Sequence, residues 1–441
     1  MSTEAPRLIA MQQPAGSSLR ADFSWTFFGN AIYAGAQWAM VMLLAKLTRP
    51  ELVGQYALGL AISLPVIMLT NLQLRFVVAT DVRQETPFGH YLSFRLLMTA
   101  FALAVILAIT QIVGYRWQLS YVVVMVGVAQ AVEAVSDVYY ARLQLHDRMD
   151  RVAKSMIARA VLSVLALAIG VHFSGNLLCG IAGVVLARTI ILLGYDTRGR
   201  THDLARDHAK LDAKEELRPR WDLKVHGALL WFSLPLGIIA VLVSLNSSIP
   251  RFFIEQILGE RALGIFSALV FMLAAGSMVV VALGQSAFTR LARYYATENL
   301  VEFWLLLRRL LVFGAALGVC GIIVARLAGR EILTLLFRVE YAEYAYLLPW
   351  LMVAASLGYV AQCLGFGMTA ARYYKPQILL FVLTNLSVGM ASYWLVPRQG
   401  LEGAVFALLI STIVQLLGSV MILLIGMRRQ TRAALESMEV T

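Results

Sequence analysis

Apolar residues in this chain gather into long, nearly unbroken runs instead of alternating with polar ones. Runs of spanning length fall at about 25–47, 53–74, 92–113, 119–140, 155–173, 177–195, 228–249, 263–286, 303–325, 346–370, 377–396 and 402–426. About 20 such residues are needed for one helical crossing of a bilayer. Hydrocarbon offers no partner to an unpaired backbone group, so each run is predicted to be a helix. Strands of a membrane barrel would alternate with period two, and these runs do not. The fold class predicted is all-α integral membrane, with about 12 transmembrane helices.

One polar segment, 196–227, is far longer than the other connections and divides the runs six and six. The expected organisation is a segment 1–24, an N-terminal six-helix lobe 25–195, the inter-lobe loop 196–227, a C-terminal six-helix lobe 228–426 and a tail 427–441. Such a division suggests an internal repeat. Pro50-Glu51-Leu52-Val53-Gly54-Gln55-Tyr56 can be laid on Glu260-Arg261-Ala262-Leu263-Gly264-Ile265-Phe266. In both, a loop turns into a helix, with Gly followed two places on by an aromatic residue.

Composition agrees with the pattern. Of 441 residues, 60% are apolar and 14% charged, and mean hydropathy is +0.74. A soluble domain has roughly 45–50% apolar and about 25% charged residues, so a soluble globular or disordered chain is excluded. The net charge of +11 would point to nucleic acid in a soluble protein. Here it reads as topology. Lys and Arg in the connections split 23 to 9 in favour of the set containing both termini, which places both termini in the cytoplasm. Arg far outnumbers Lys; codon usage produces the same bias, and Arg is also the better bidentate partner for phosphate. The cysteines Cys179, Cys320 and Cys363 lie far apart in apolar runs, with no disulfide framework and no Cys-x-x-Cys signature. The first 22 residues lack the apolar core of a cleaved signal peptide, so the first run is expected to stay as an anchor.

Motifs of soluble catalysis are missing. There is no Gly-Lys-Ser/Thr of a phosphate-cradling loop, no His-Glu-x-x-His and no Gly-x-Ser-x-Gly. His202 and His208 sit in the polar loop without apolar periodicity and read as solvated, so no metal site or cofactor is expected. Extracytoplasmic connections are too short for a catalytic domain, which argues against an enzyme.

Candidate chemistry is therefore sought among polar residues inside apolar helices, where a charge costs at least ~2.5–3.5 kcal/mol and needs a partner or a wet cavity. Glu133 and Asp137 stand at i, i+4 on one face of the fourth run. They are candidates for ion coupling, or else for pairing with Arg159 or Arg188. Asn71, Gln73 and Arg75 close the second run; Arg75 either snorkels to headgroups or meets an incoming phosphate. Asn30 and Gln37 share a stripe with Tyr33 on the first run, as packing glue or as a lining for sugar hydroxyls. Arg188 on the sixth run, Asn246 on the seventh, Arg251 just beyond it and Gln285 on the eighth complete the candidates for substrate binding. Pro65 and Pro235 interrupt the second and seventh runs, at places that do not match between the halves. Gly314 and Gly318 read as close helix packing.

The stretches Trp25-Thr26-Phe27-Phe28-Gly29-Asn30, Gln37-Trp38, Leu44-Ala45-Lys46-Leu47 and Pro50-Glu51-Leu52-Val53-Gly54 resemble the start of bacterial polysaccharide flippases. So do Asn71-Leu72-Gln73-Leu74-Arg75, Ile249-Pro250-Arg251-Phe252-Phe253-Ile254 and Ala282-Leu283-Gly284-Gln285-Ser286. These are the O-antigen and exopolysaccharide translocases, a branch of the multidrug/oligosaccharidyl-lipid/polysaccharide exporter superfamily. The resemblance implies two six-helix lobes around a central cavity and a polyprenyl-pyrophosphate-linked glycan substrate. That substrate would move from the cytoplasmic to the periplasmic leaflet of the bacterial inner membrane. It implies membrane lipid, a polysaccharide polymerase and a chain-length regulator as partners, and no nucleic acid. Arg75 and Arg251 match arginines of the family's motifs and are expected to contact phosphate. Lipid II flippases place arginines on the first helix, and this chain has none between Trp25 and Ala45. An ion-coupled multidrug exporter on the same fold is the alternative; it would want acidic residues in its cavity.

Overall fold

The computed structural model describes residues 19–80, 86–145, 148–197, 218–297 and 299–439. His202, His208, most of the 196–227 loop and residues 1–18 of the N-terminal segment lie outside these described residues.

The described chain is helical: α1 (Leu19–Leu47), α2 (Pro50–Asn71), the short α3 (Leu74–Thr80), α4 (Phe88–Val113), α5 (Trp117–Leu145), α6 (Met149–Ser174) and α7 (Leu177–Ile191) form the first half. A single π turn, Leu192–Asp196, extends α7. The next helical segment, Leu223–Ala296, has 74 residues. A straight helix of that length would measure about 110 Å, several times a bilayer core. It is two helices, α8 (223–258) and α9 (260–296), joined at Gly259, whose φ of 84° suits a residue without a side chain. Then follow α10 (Leu300–Leu336), the short α11 (Val339–Ala342), α12 (Leu348–Ala370), α13 (Tyr374–Gln399) and α14 (Leu401–Glu439). With Leu223–Ala296 counted as two, twelve helices among the described residues are long and apolar enough to span a membrane.

Local chemistry sets several ends. Asn176, Asp222 and Asn299 accept backbone N–H bonds at the starts of α7, α8 and α10. Large apolar side chains such as Phe101, Ile112, Phe173 and Leu327 face outward with no protein to cover them. That surface belongs in lipid, and Trp117, Trp350 and Trp394 stand near the helix ends where aromatic belts form. The protein is a multi-pass membrane protein.

Two lobes follow from the packing. In the first, α1 lies on α6, α6 on α7, and α2 against α4 and α5. In the second, α13 lies on α14, and α10 and α14 on α12. Gly314 and Gly318 bring α10 onto α12 at Tyr359 and Ser356.

The lobes clasp at one end, where the α1–α2 and α8–α9 connections lie. A Cβ on Gly54 would strike the Glu260 carbonyl, and one on Gly264 would strike the Pro50 carbonyl. The contact is reciprocal and joins equivalent positions of the sequence repeat. Around it Gln55 donates to Glu260 at 2.8 Å, Arg261 reaches Glu51 at 3.3 Å and Glu340 at 2.9 Å, and Lys46 donates to the Leu335 carbonyl at 2.8 Å. The ion pairs are largely exposed, so water and salt screen them; the apolar core on either side, from Met40 and Leu44 to Phe266 and Tyr341, does most of the holding.

Near the opposite end α8 leans on the first lobe. His226 and Ser93 are 2.9 Å apart, Leu229 joins Leu72, Val77 and Phe94, and Gly237 lies against Leu69 and Leu72. Farther along, α8 belongs to the second lobe: Asn385 donates to the Leu242 carbonyl at 2.9 Å, and Ser411 to Asn246 at 2.7 Å. Pro235 stands at the changeover, with its missing N–H loosening the helix there.

Candidate functional site

The first lobe holds a network of charges. On α5, Glu133 pairs with Arg188 of α7 at 2.7 Å and accepts a hydrogen bond from Tyr33 of α1. Gln37 donates to the Tyr33 oxygen at 2.6 Å. Arg188 also donates to the Ala129 carbonyl at 2.9 Å and to Gln130 at 2.7 Å. One turn along α5, Asp137 faces Arg75 at 3.9 Å; Arg75 also approaches Gln144 at 3.4 Å and lies over the Tyr140 ring. Of the partners weighed from sequence, Arg188 takes Glu133, while Asp137 takes Arg75 and not Arg159.

Arg159 has a different partner. It meets Asp196 at 3.3 Å, with side chains 2% and 0% exposed, and donates to the Tyr140 hydroxyl. Ser155 donates to the other Asp196 oxygen at 2.5 Å and bonds Tyr140 at 2.7 Å. The π turn that ends α7 carries Asp196 into this position. From sequence Asp196 falls in the polar loop, so this pair is not visible there.

Two buried arginines have no acidic side chain within ion-pair distance among the described residues. Arg95 on α4 donates to the Asn71 carbonyl at 3.2 Å. Arg251 on α8 is 5% exposed, lies over the Phe271 ring with 5.4 Å to its centroid, and leaves its Nε unbonded. At the end of α2, the Asn71 side-chain oxygen is buried and unbonded. Leu72 and Gln73 follow with φ of 50° and 51°, a left-handed pair of non-glycine residues. Such a conformation is strained and persists only where its surroundings hold it; here it turns the chain so that Arg75 reaches Asp137. Gln73 itself is exposed, and Asn30 bonds only the Thr26 carbonyl of its own helix.

The second lobe is built differently. A cavity of about 750 Å³ lies among α8, α9, α12, α13 and α14, and every residue lining it comes from this half. Its polar lining includes five carboxamides: Asn246, Gln285, Gln362, Gln377 and Gln415. Among the described residues no Asp, Glu, Lys, Arg or His lines it. Thus Asn246 and Gln285 share one cavity, far from the Glu133–Arg188 network in the fold. Gln362, Gln377 and Gln415 escape the sequence reading, although each is a carboxamide inside an otherwise apolar run. Among the described residues no group of three or more His, Cys, Asp and Glu could hold a metal ion.

Comparison with known proteins places this geometry. No protein-family model matches the chain. The capsular polysaccharide biosynthesis protein CapF of Staphylococcus aureus is 24% identical over 398 residues, which is 90% of this chain and 97% of CapF. An inward-facing multidrug resistance MATE transporter of the MOP superfamily superposes with a TM-score of 0.66 at 13% identity, covering 96% of this chain and 97% of the other. A MOP superfamily transporter from Pyrococcus furiosus, with a binding pocket described as reversed in polarity, gives 0.59 at 15% identity over 92% and 94%. A Vibrio cholerae MATE transporter gives 0.60 at 12% identity over 94% and 96%. The chain has the two-lobed, twelve-helix fold of the MOP superfamily and, over nearly its whole length, is similar to a capsular polysaccharide biosynthesis protein.

Proposed function

We propose that the protein is a flippase for polyprenyl-pyrophosphate-linked oligosaccharides, a transporter and not an enzyme, acting in the bacterial inner membrane. It serves cell-surface polysaccharide synthesis by carrying the repeat unit from the cytoplasmic to the periplasmic leaflet. The similarity to CapF supports the polysaccharide reading, and the MOP fold supports alternating access between two lobes. The positive-inside count supports a periplasmic position for the clasped end, and with it a state closed on that side. That agrees with the likeness to an inward-facing transporter.

The observation that carries the reading is Arg251. A guanidinium buried in an apolar bundle without a carboxylate is costly. A diphosphate entering the cleft supplies the missing charge, in a bidentate geometry that suits Arg. Arg75, paired at 3.9 Å and partly exposed, can exchange Asp137 for the same ligand near the cytoplasmic end. Asn30, Gln37, Asn71, Gln73 and Arg188 fall on the first-lobe side of that route. Coupling to an ion gradient is assigned to Glu133 and Asp137. A lipophilic cation would want acidic residues, and the second-lobe cavity has none, which weighs against a multidrug exporter.

The test is polymer export in a deletion strain. Arg251→Ala is expected to cut output at least tenfold and Arg75→Ala severalfold, with Lys at each position restoring part of it. Wild-type output from both Ala variants would overturn the anion sites.

A further inference from the structure

Resting on the flippase reading, we infer that the second-lobe cavity is the site for the glycan itself, and that it selects uncharged sugar units over acidic ones. The diphosphate has arginines elsewhere. The cavity offers the opposite chemistry: carboxamides and hydroxyls without a formal charge.

A carboxamide presents two N–H donors and an accepting oxygen, so it can meet a sugar hydroxyl in either role. Several of these groups are free to do so. Among the described residues Gln285 and Gln415 have no hydrogen-bond partner, and Ser419 is buried with its hydroxyl unbonded. Gln362 is engaged only through its oxygen, which Ser277 approaches at 3.4 Å, so its N–H groups remain available. Phe288, Phe366 and Phe381 supply flat apolar faces for the C–H side of a pyranose ring. The volume, about 750 Å³, is within the ~300–1,000 Å³ of small-molecule sites, which likewise combine an apolar lining with a few placed polar groups.

The same lining sets the selectivity. A sugar carboxylate brought into the cavity would lose its water and find no cation in return, which is strongly unfavourable. A neutral hexose or N-acetylhexosamine leaves no such charge stranded. On α9 the lining runs from Val270 to Phe288, about 27 Å along the helix axis, long enough for more than one sugar ring.

The test measures binding of three probes to the full-length protein in lipid nanodiscs: a polyprenyl diphosphate, the same lipid carrying a neutral glucose disaccharide, and the same lipid carrying a glucose–glucuronic acid disaccharide. The wild type is expected to bind the neutral glycolipid about tenfold more tightly than the bare diphosphate, and the acidic one no better than bare. Gln362→Ala with Gln415→Ala is expected to bring the neutral glycolipid down to the bare level while leaving the bare lipid unchanged. Gln362→Leu with Gln415→Leu, which keeps side-chain volume, reads the same loss should the alanine pair not fold. Neutral glycolipid bound as in wild type would place the sugar elsewhere and overturn the inference. Equal loss of bare lipid and glycolipid by a pair that melts with the wild type would assign the cavity to the isoprenoid chain, and also overturn it. In both cases the flippase reading survives, because the wild type still binds the lipid. A wild type that bound none of the three probes would remove that reading as well.

Discussion

The two lobes share a helical plan but treat charge in opposite ways. The first buries Arg95, Arg159, Arg188 and Asp196, with Glu133 and Asp137 beside them; the second buries Arg251 and lines its cavity with uncharged groups. In the first lobe most of the charge is answered from within. Arg159 and Arg188 each have a carboxylate, and Tyr33, Tyr140 and Ser155 bond to members of the network. Such a network fixes the geometry of the helices that carry it, and less of it is left over for a ligand. In the second lobe hydrogen-bonding groups stand unused around an open volume. Polar residues inside apolar helices thus fall into two kinds: those that tie helices together, and those that stand unbonded beside an open volume.

Cutting the first-lobe network gives the largest expected effect. Asp196→Ala strands the Arg159 guanidinium in a buried site, which typically costs about 3–5 kcal/mol. We expect little folded protein from this variant by size-exclusion profile and a lowered melting temperature for what remains. Replacing both partners, Arg159→Met with Asp196→Leu, should recover most of the loss. A single variant as stable as wild type would mean that the pair is not a structural tie.

A middle effect is expected where the lobes meet. Gly264→Val drives a branched side chain into the Pro50 carbonyl, a clash of the size that costs about 1–3 kcal/mol in packed interiors. The clasp should open. Spin labels at the exposed positions Trp117 and Val339 should report a longer, broader distance distribution. An unchanged distribution would show that the approach at Gly54 and Gly264 is not needed to close this end.

The smallest structural effect, and the sharpest functional one, belongs to the carboxylates on α5. Glu133→Gln with Asp137→Asn keeps side-chain shape and one accepting oxygen at each position, and removes two charges. Expected is a folded transporter whose rate in vesicles no longer responds to an imposed ion gradient, lower than wild type by severalfold. Transport that stayed fully gradient-dependent would confine both residues to pairing.

The fold was legible wherever one physical requirement acted alone. Hydrocarbon demands helices, so the apolar runs mark α1, α2 and the other spans. The repeat around Gly54 and Gly264 was visible as a pattern, but that the two glycines touch each other was not, because it depends on how the lobes are set together. Positions governed by two requirements were hidden. Asp196 looks like loop because the polar segment begins there, and only the π turn returns it to Arg159. Leu72 and Gln73 give no hint of left-handed backbone, since neither is Gly or Asn. Of the candidate site, Glu133 with Arg188 could be anticipated from charge in apolar runs. The cavity carboxamides lie between Asn246 and Gln415 in the sequence, on five helices, and folding alone assembles them.

The clasp has a consequence for how such a chain could have arisen. Glu51 and Arg261 occupy equivalent places in the two halves and pair across the point where the halves cross. Two copies of the first half docked the same way would oppose acid to acid, and two copies of the second, base to base. Neither arrangement keeps the pair, so this single position favours one half of each kind across the clasp.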